Sequence, residues 1–324
     1  MKAFDYLVAD QLDAALDEYA EGSVALKAGG IDLLDLMKER VETPATVLSI
    51  GGLDELSYIR EDKDGVHIGA LTTLADIGRN ELLKTKYATL HHAAAEAATP
   101  QIRERATVGG NLCQRPRCWY FRKKEFHCLK KGGATCFAVD GENRYHSIFG
   151  GGPSYIVHPS NVAPALVALD GIVVVRSADG EPQRVSAAEF FVLPSQSLMN
   201  ENVLKPGQVV TEVILPKAPS QSATIELREK QSFDWPIMMA CVARLDKKWR
   251  VCLGAVAPVP WLSEPAMEVL GEKDITPELA TRASEAVVRD AEPMTDNEYK
   301  VQLAKVATKR ALMTAAGLEV PTWN

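Results

Sequence analysis

Apolar positions near the start of the chain alternate between two periods. Leu12, Ala15, Leu16 and Tyr19 fall at helical spacing, and SVALKAGG then reads as a short strand, from Ser23, running into a glycine turn. DLLDLMKER predicts a second helix, with Asp32 in its first turn and Lys38 and Arg40 in its last, the charge order that the helix dipole favours. TVLSIGG follows as a strand ending on glycines, so residues 1–55 predict a small βαβ-like unit. VHIGALTT predicts another strand, and helical periodicity covers Leu74–Leu83 and Ala88–Ala98. From Tyr155 the pattern is strand-like, in IVVVRSA and QVVTEVILP, punctuated by Pro159, Pro164, Pro194 and Pro206. PKAPSQS, Pro216–Ser222, has the composition of a linker and predicts a domain boundary. Beyond it, TIELREKQ, IMMACVARLD and RVCLGAVA are strand candidates that precede helices. Ser263-Glu264-Pro265 and Thr276-Pro277-Glu278 each put a capping hydroxyl before a first-turn proline. The last helix is predicted from Asp296 to Ala316, stopping at Gly317 with Pro321 beyond.

Composition adds a class to this layout. The chain has 324 residues, 46% hydrophobic and 24% charged, which suits two globular domains and excludes a disordered or collagen-like chain. No apolar run is long enough to span a membrane, and the acidic N-terminus lacks the layout of a secretory signal, so a cytoplasmic protein is expected. The net charge of -7 argues against a nucleic-acid binder. No Ser/His/Asp layout and no H-E-x-x-H is present, so acid–base catalysis by this chain has no support.

Two glycine turns carry candidate binding chemistry. AGGIDLL, Ala28–Leu34, sits where a strand hands over to a helix, and Gly29 and Gly30 let backbone approach a ligand closely. A phosphate or pyrophosphate suits the amides at such a turn; an ordinary strand–turn–helix glycine pair is the plainer alternative. TVGGNL repeats the logic, with Thr107 and Asn111 as hydrogen-bonding side chains, and two such turns can grip one dinucleotide from opposite sides. Neither fits G-x-G-x-x-G, and no G-x-x-x-x-G-K-[ST] exists.

Four of the six cysteines, Cys113, Cys118, Cys128 and Cys136, fall in one stretch with spacing C-x4-C-x9-C-x7-C. So few cysteines exclude a disulfide scaffold, and a cluster of soft thiolates suits zinc or iron and sulfur. Arg115, Arg117, Arg122, Lys123, Lys124, Lys130 and Lys131 accompany them against a single acid, Glu125. Such a loop can balance a negative cluster, face an acidic partner, or form a zinc module touching nucleic acid through Trp119, Tyr120 and Phe121; unligated cysteines in a solvated loop are a fourth reading. Cys241 and Cys252 lie on apolar strand patterns and are expected in the core.

AGGIDLL, IGALTTLADI, PQIRERATVGGNL, PSNVAPALVALDG, LKPGQVVTEVILP, FDWPIMMACVARL and GAVAPVPW, in this order, resemble the FAD-binding medium subunit of the molybdenum hydroxylases. These are the xanthine dehydrogenases, carbon monoxide dehydrogenases and aldehyde oxidoreductases. The resemblance implies an α/β plus α+β fold, a two-part FAD domain of the vanillyl-alcohol-oxidase type over residues 1–216 (1–55 and 56–216) followed by a smaller sheet-plus-helices domain over 223–324. It implies that Lys27, Ala28, Gly29, Gly30, Ile31, Asp32 and Leu33 hold the FAD pyrophosphate and that Ala98, Thr107, Gly110 and Asn111 line the other side. Asn161 stands where the family commonly has an aspartate. The family's flavin lysine is displaced, with Glu226 near its place and Lys230 a few residues on. RCWYFR, FHCLKK and ATC further resemble a loop, here about 113–154, that in a subset of the family binds an extra [4Fe-4S] cluster. That resemblance implies Cys118, Cys128 and Cys136 as ligands; the subset's fourth cysteine falls at Ser154, leaving Cys113 or another group as the substitute. The longer insert, including GENRYH, is closer to the aldehyde-oxidoreductase type. The expected function is therefore that of an oxidoreductase subunit passing electrons through FAD between a small [2Fe-2S] subunit and an external acceptor such as ferredoxin. Substrate chemistry is expected on a large molybdopterin-binding subunit. The rival expectations are the beta subunit of a 4-hydroxybenzoyl-CoA reductase-type complex running reductively and a zinc-bearing nucleic-acid module.

Overall fold

The protein is described by a computed structural model that covers residues 1–20, 24–230 and 232–320. Its first sheet is parallel, built from β1 (Asp5–Val8), β2 (Val24–Lys27) and β3 (Thr46–Ser49) in the order β1-β3-β2. Val47 of the central strand pairs with Tyr6 on one side and Ala25 on the other, and it is fully buried. Helix α1 (Leu12–Ala20) lays Leu12, Ala15 and Leu16 onto Leu48 and Ile50, as the helical spacing predicts, and helix α2 (Leu33–Lys38) follows the AGG turn. β1 escaped the sequence pattern because all four of its residues are exposed, so no alternation marks it. Ser23, the first residue of the predicted second strand, lies outside the described residues, as does Pro321.

The second sheet is antiparallel and contains β4 (Ile59–Asp62), β5 (Gly65–Gly69), β6 (Ile172–Arg176), β7 (Gln183–Ser186) and β8 (Val209–Leu215) in the order β4-β5-β8-β6-β7. The helix predicted over Leu74–Leu83 is two helices, Leu74–Arg79 and Glu81–Lys86. Asn80 ends the first and caps the second, its side chain accepting from the Leu83 amide at 3.0 Å. The segment Val162–Ala168, expected to be strand-like, is a helix. Every one of its side chains is buried, so no amphipathic period shows, and Pro164 sits in the first turn where it costs no hydrogen bond.

The third sheet, β9 (Gln221–Leu227), β10 (Met238–Leu245), β11 (Lys248–Gly254) and β12 (Trp261–Leu262), is antiparallel in the order β12-β11-β10-β9. Both faces of β10 are covered, which explains its unbroken apolar run. Met238, Ala240 and Val242 meet the helices Pro277–Ala286 and Tyr299–Ala315, whereas Met239, Cys241 and Ala243 join the core of the second sheet. Cys241 and Cys252, fully buried, belong to that core as expected. The predicted linker is shorter than PKAPSQS, since Gln221 and Ser222 already pair with Arg244 and Ala243. The last helix ends before Gly317, which takes φ +69°.

Candidate functional site

The two glycine turns meet. Gly29 lies so close to the chain before TVGGNL that a Cβ on it would stand 1.8 Å from the Arg105 carbonyl oxygen, and Gly30 reverses the turn at φ +79°. Between them opens a cavity of about 400 Å³. Lys27, Ala28, Gly29, Gly30, Ile31, Asp32 and Leu33 are among its lining residues, as are Ala98, Thr107, Gly110, Asn111 and Asn161. Thr107 caps the short helix Val108–Leu112 by accepting from the Gly110 amide at 3.2 Å, and a Cβ on Gly110 would otherwise project into open space. Ala98 takes φ +45°, held by Arg103, whose guanidinium donates to the Ala97 and Ala98 carbonyls at 2.8 and 3.0 Å. Asn111 accepts from the Ser160 hydroxyl at 2.5 Å, which ties this wall to the PSN segment. A narrow, glycine-walled cavity with backbone on both sides fits a dinucleotide.

Lys230 does not line the cavity; its amide donates to Asp234 at 3.3 Å on an exposed loop, and Trp235 of that loop reaches the cavity instead. The Glu226 side chain is buried beside Asn161, which donates to it at 3.5 Å, and pairs with Arg228. Burial pushes the Glu226 carboxyl up, with Arg228 opposing. Tyr19, Leu204, Gln208, Trp235 and Arg117 are cavity residues that the sequence analysis did not assign; only Trp235 carried a signal, in FDWP.

The cysteine stretch divides. Cys113 lines the cavity between the two glycine turns, and burial pushes its thiol up to about 12. Cys118 and Cys128 instead share a small apolar cluster with Leu36 of α2 and Phe121. Cys128 pairs backbone with Thr135, which sets Cys136 beside it. A negative charge on Cys136 would raise both Cys118 and Cys128, and one on Cys128 would raise Cys118. Burial pushes Cys118 up to about 12 against the amides of Phe121 and Tyr120, and pushes Cys128 up against the Lys131 charge and the amides of Lys130 and Lys131. His146 places Nε2 3.3 Å from the Cys118 sulfur and packs edge-on against Trp119, and burial beside Lys300 lowers it to about 4, so the ring is neutral. Among the described residues no three His, Cys, Asp or Glu side chains converge as a single metal ion requires.

The basic character of the stretch is largely internal. Arg117 and Arg122 pair with Asp32, Arg122 also with Asp35 at 2.9 Å, while Arg115 and Lys130 meet on the buried Glu201 at 2.6 and 2.8 Å. Burial pushes the Asp32 carboxyl up, but Arg117, Arg122 and the Arg115 amide together bring it below the usual carboxylate range. Lys123, Lys124 and Lys131 have no such acid partner described, so the expectation of a broadly basic docking face is corrected to three lysines.

Residues 2–218 match the family described as the FAD binding domain in molybdopterin dehydrogenase, and residues 227–315 match the CO dehydrogenase flavoprotein C-terminal domain. The chain is 33% identical to the aldehyde oxidoreductase FAD-binding subunit PaoB of Escherichia coli K12, over 94% of this chain and 96% of that one. It is 27% identical to the carbon monoxide dehydrogenase medium chain of Hydrogenophaga pseudoflava, over 90% and 88%. Its fold superposes on a chain of quinoline 2-oxidoreductase from Pseudomonas putida 86 with a TM-score of 0.76 at 21% identity, covering 98% and 99% of the two chains. The chain belongs to the FAD-binding medium subunits of the molybdenum hydroxylase family, that of the CO dehydrogenases and aldehyde oxidoreductases.

Proposed function

We propose that this chain is the electron-transfer flavoprotein subunit of a molybdenum-containing hydroxylase or dehydrogenase complex, assembled in the cytoplasm with a large molybdopterin-binding subunit and a small [2Fe-2S] subunit. The observation that carries the reading is the convergence of both glycine turns on one cavity in a chain of this family. Relatives named as an FAD-binding subunit and as medium chains support the multi-subunit assembly, and six free thiols suit a reducing compartment. FAD, when bound, supplies the exchange of electron pairs for single electrons. The residues present do the rest by binding: the Lys27–Leu33 turn and the Thr107–Asn111 segment hold the dinucleotide, and Asp32 is neutralised by arginines so that it does not repel an anionic ligand.

The cysteine loop is assigned, within this proposal, to an additional [4Fe-4S] cluster on Cys118, Cys128 and Cys136. What supports this reading is that Cys118 and Cys128 share one apolar cluster, that the Cys128–Thr135 bridge sets Cys136 next to it, and that backbone amides are directed at Cys118 and Cys128. Cys113 lines the cavity away from Cys118 and Cys128, so the fourth position is proposed for another group; resemblance to the cluster-binding subset points to Ser154, which is buried directly before Tyr155. An acidic carrier of ferredoxin type is the proposed external partner, docking at Lys123, Lys124 and Lys131. The test is reduction of the flavin in anaerobically purified complex and in the isolated chain by the complex's own substrate. Reduction in the complex alone supports the reading, and reduction by the isolated chain overturns it.

A further inference from the structure

We infer that Arg117, contributed by the cysteine-rich insert, is a positioning residue of the flavin cavity, and that through it FAD binding and the ordering of the insert are coupled. The inference rests on the assignment of the cavity to FAD and does not depend on whether the insert carries a cluster. Arg117 lies one residue before Cys118, yet its side chain lines the cavity together with Gln114, Asp32 and Trp235. One guanidinium nitrogen donates to the Asp32 carboxylate and the other to Gln114 Oε1 at 3.1 Å, which fixes the plane of the group. Its face lies 5.0 Å from the centre of the Trp235 ring, a residue that is 46% exposed and has no other ring or cation contact described. Arg117 thus gives the indole a cation–ring contact at the cavity wall.

The same carboxylate anchors the insert. Asp32 accepts from the Arg115 amide at 2.8 Å and from Arg122 at 2.6 Å, while Arg122 also binds the Pro116 and Arg115 carbonyls at 2.8 and 3.0 Å. One turn of α2 further on, Leu36 packs with Phe121, Cys128 and Cys118. The turn that forms one cavity wall and the loop that carries the cysteines therefore share an ion-pair network and an apolar cluster, and neither can shift without the other. Chemistry supplies a second reason for Arg117. A lone carboxylate on the wall of a site for a pyrophosphate would repel it, and the guanidinium cancels that charge while leaving Asp32 free to hold the loop. Coupling of this kind is reciprocal: whatever the ordered insert adds to FAD affinity, FAD adds to the ordering of the insert.

Hydrogen–deuterium exchange of the full chain, with flavin reversibly removed and restored, tests this. In the wild type, FAD is expected to slow exchange over residues 113–131 about tenfold as well as over the turn at 27–33. In Arg117→Gln the FAD Kd is expected to rise about tenfold and protection of 113–131 by FAD to disappear, with exchange in the helix Tyr299–Ala315 unchanged as the control for folding. Arg117→Lys, which keeps the charge but not the fork, is expected to fall between. Should Arg117→Gln fail to fold, Trp235→Ala carries the test: weaker FAD binding with the insert still protected supports the inference, and unchanged FAD binding overturns it. Insert exchange indifferent to FAD in the wild type overturns the coupling while the FAD assignment stands; a wild type that binds no FAD overturns the assignment itself.

Discussion

Replacing Gly110 by alanine adds one methyl group to the wall of the flavin cavity and to almost nothing else. The nearest atom to the new Cβ is Thr107 Oγ1 at 3.0 Å, the far end of a side chain, whereas Gly29→Ala drives a Cβ to 1.8 Å from the backbone oxygen of Arg105. That second contact is about 1.6 Å short of the 3.4 Å at which ordinary contact begins, so the whole turn must retreat from the segment it rests on. Overpacking of that kind costs about 1–3 kcal/mol of stability. Displacing a single backbone donor from an anionic ligand costs about 1.5–3 kcal/mol, which is a factor of about 10 to 100 in affinity. The two variants should therefore separate. Gly110→Ala is expected to lose no more than the Thr107 cap, about 1 kcal/mol, and to weaken FAD by at least about tenfold, and Gly29→Ala to lose more stability as well as affinity. Titration of flavin-free protein, read by flavin fluorescence, with parallel thermal melts measures both. Wild-type FAD affinity in Gly110→Ala would refute the placement of the dinucleotide between the two turns.

Cys128→Ala should remove the proposed cluster's iron and its electron paramagnetic signal while FAD stays bound, and Ser154→Cys should slow iron loss in air; iron retained in the first, or an unchanged rate in the second, contradicts the ligand assignment. Lys300 donates to the carbonyls of Tyr145, His146 and Ala255 at 2.9, 3.1 and 2.9 Å, and burial lowers its ammonium to about 7. Because the unfolded lysine keeps its proton up to about 10.4, the unfolded chain binds more protons between these values, so wild-type stability rises with pH from 7 to 10. Against Lys300→Met that gain should reach at most about 1.4 kcal/mol per pH unit in urea unfolding at pH 7 and 9, and a difference that does not change with pH sinks the argument. Electron transfer to an acidic carrier should slow with added salt and lose its salt dependence when Lys123, Lys124 and Lys131 are neutralised; a wild-type rate indifferent to salt removes the docking site.

What could be read in the sequence was what is local. Gly29 and Gly30 announced themselves because a tight turn and a close backbone approach demand them, and Thr107 as a hydrogen-bonding side chain beside the second glycine pair, where the structure makes it a helix cap. Strands such as β6 and β8 showed their burial directly as valine and isoleucine runs. The helix Val162–Ala168 was hidden by being buried on every side, and β1 by being exposed on every residue. The charge of the insert was misread for a different reason. Arg117 and Arg122 find their acids at Asp32 and Asp35, and Arg115 and Lys130 find theirs at Glu201, on segments far away along the chain, so a stretch that looked uncompensated is mostly an internal brace. Trp235 and Arg117 reach the cavity only because the third sheet and the insert fold against it, which no periodicity encodes. The fold puts Cys118 and Cys128 in one apolar cluster and leaves Cys113 at the cavity, a division that the spacing alone did not contain.

The measurement that bears most directly on the account is the cofactor content of the anaerobically purified complex: acid-extracted FAD and chemical iron per copy of this chain, with the visible and paramagnetic spectra of the same sample. The account predicts one FAD per chain, and iron in excess of that of the small subunit, lost in Cys128→Ala without loss of flavin. A complex whose preparation carries no FAD on this chain would contradict it outright.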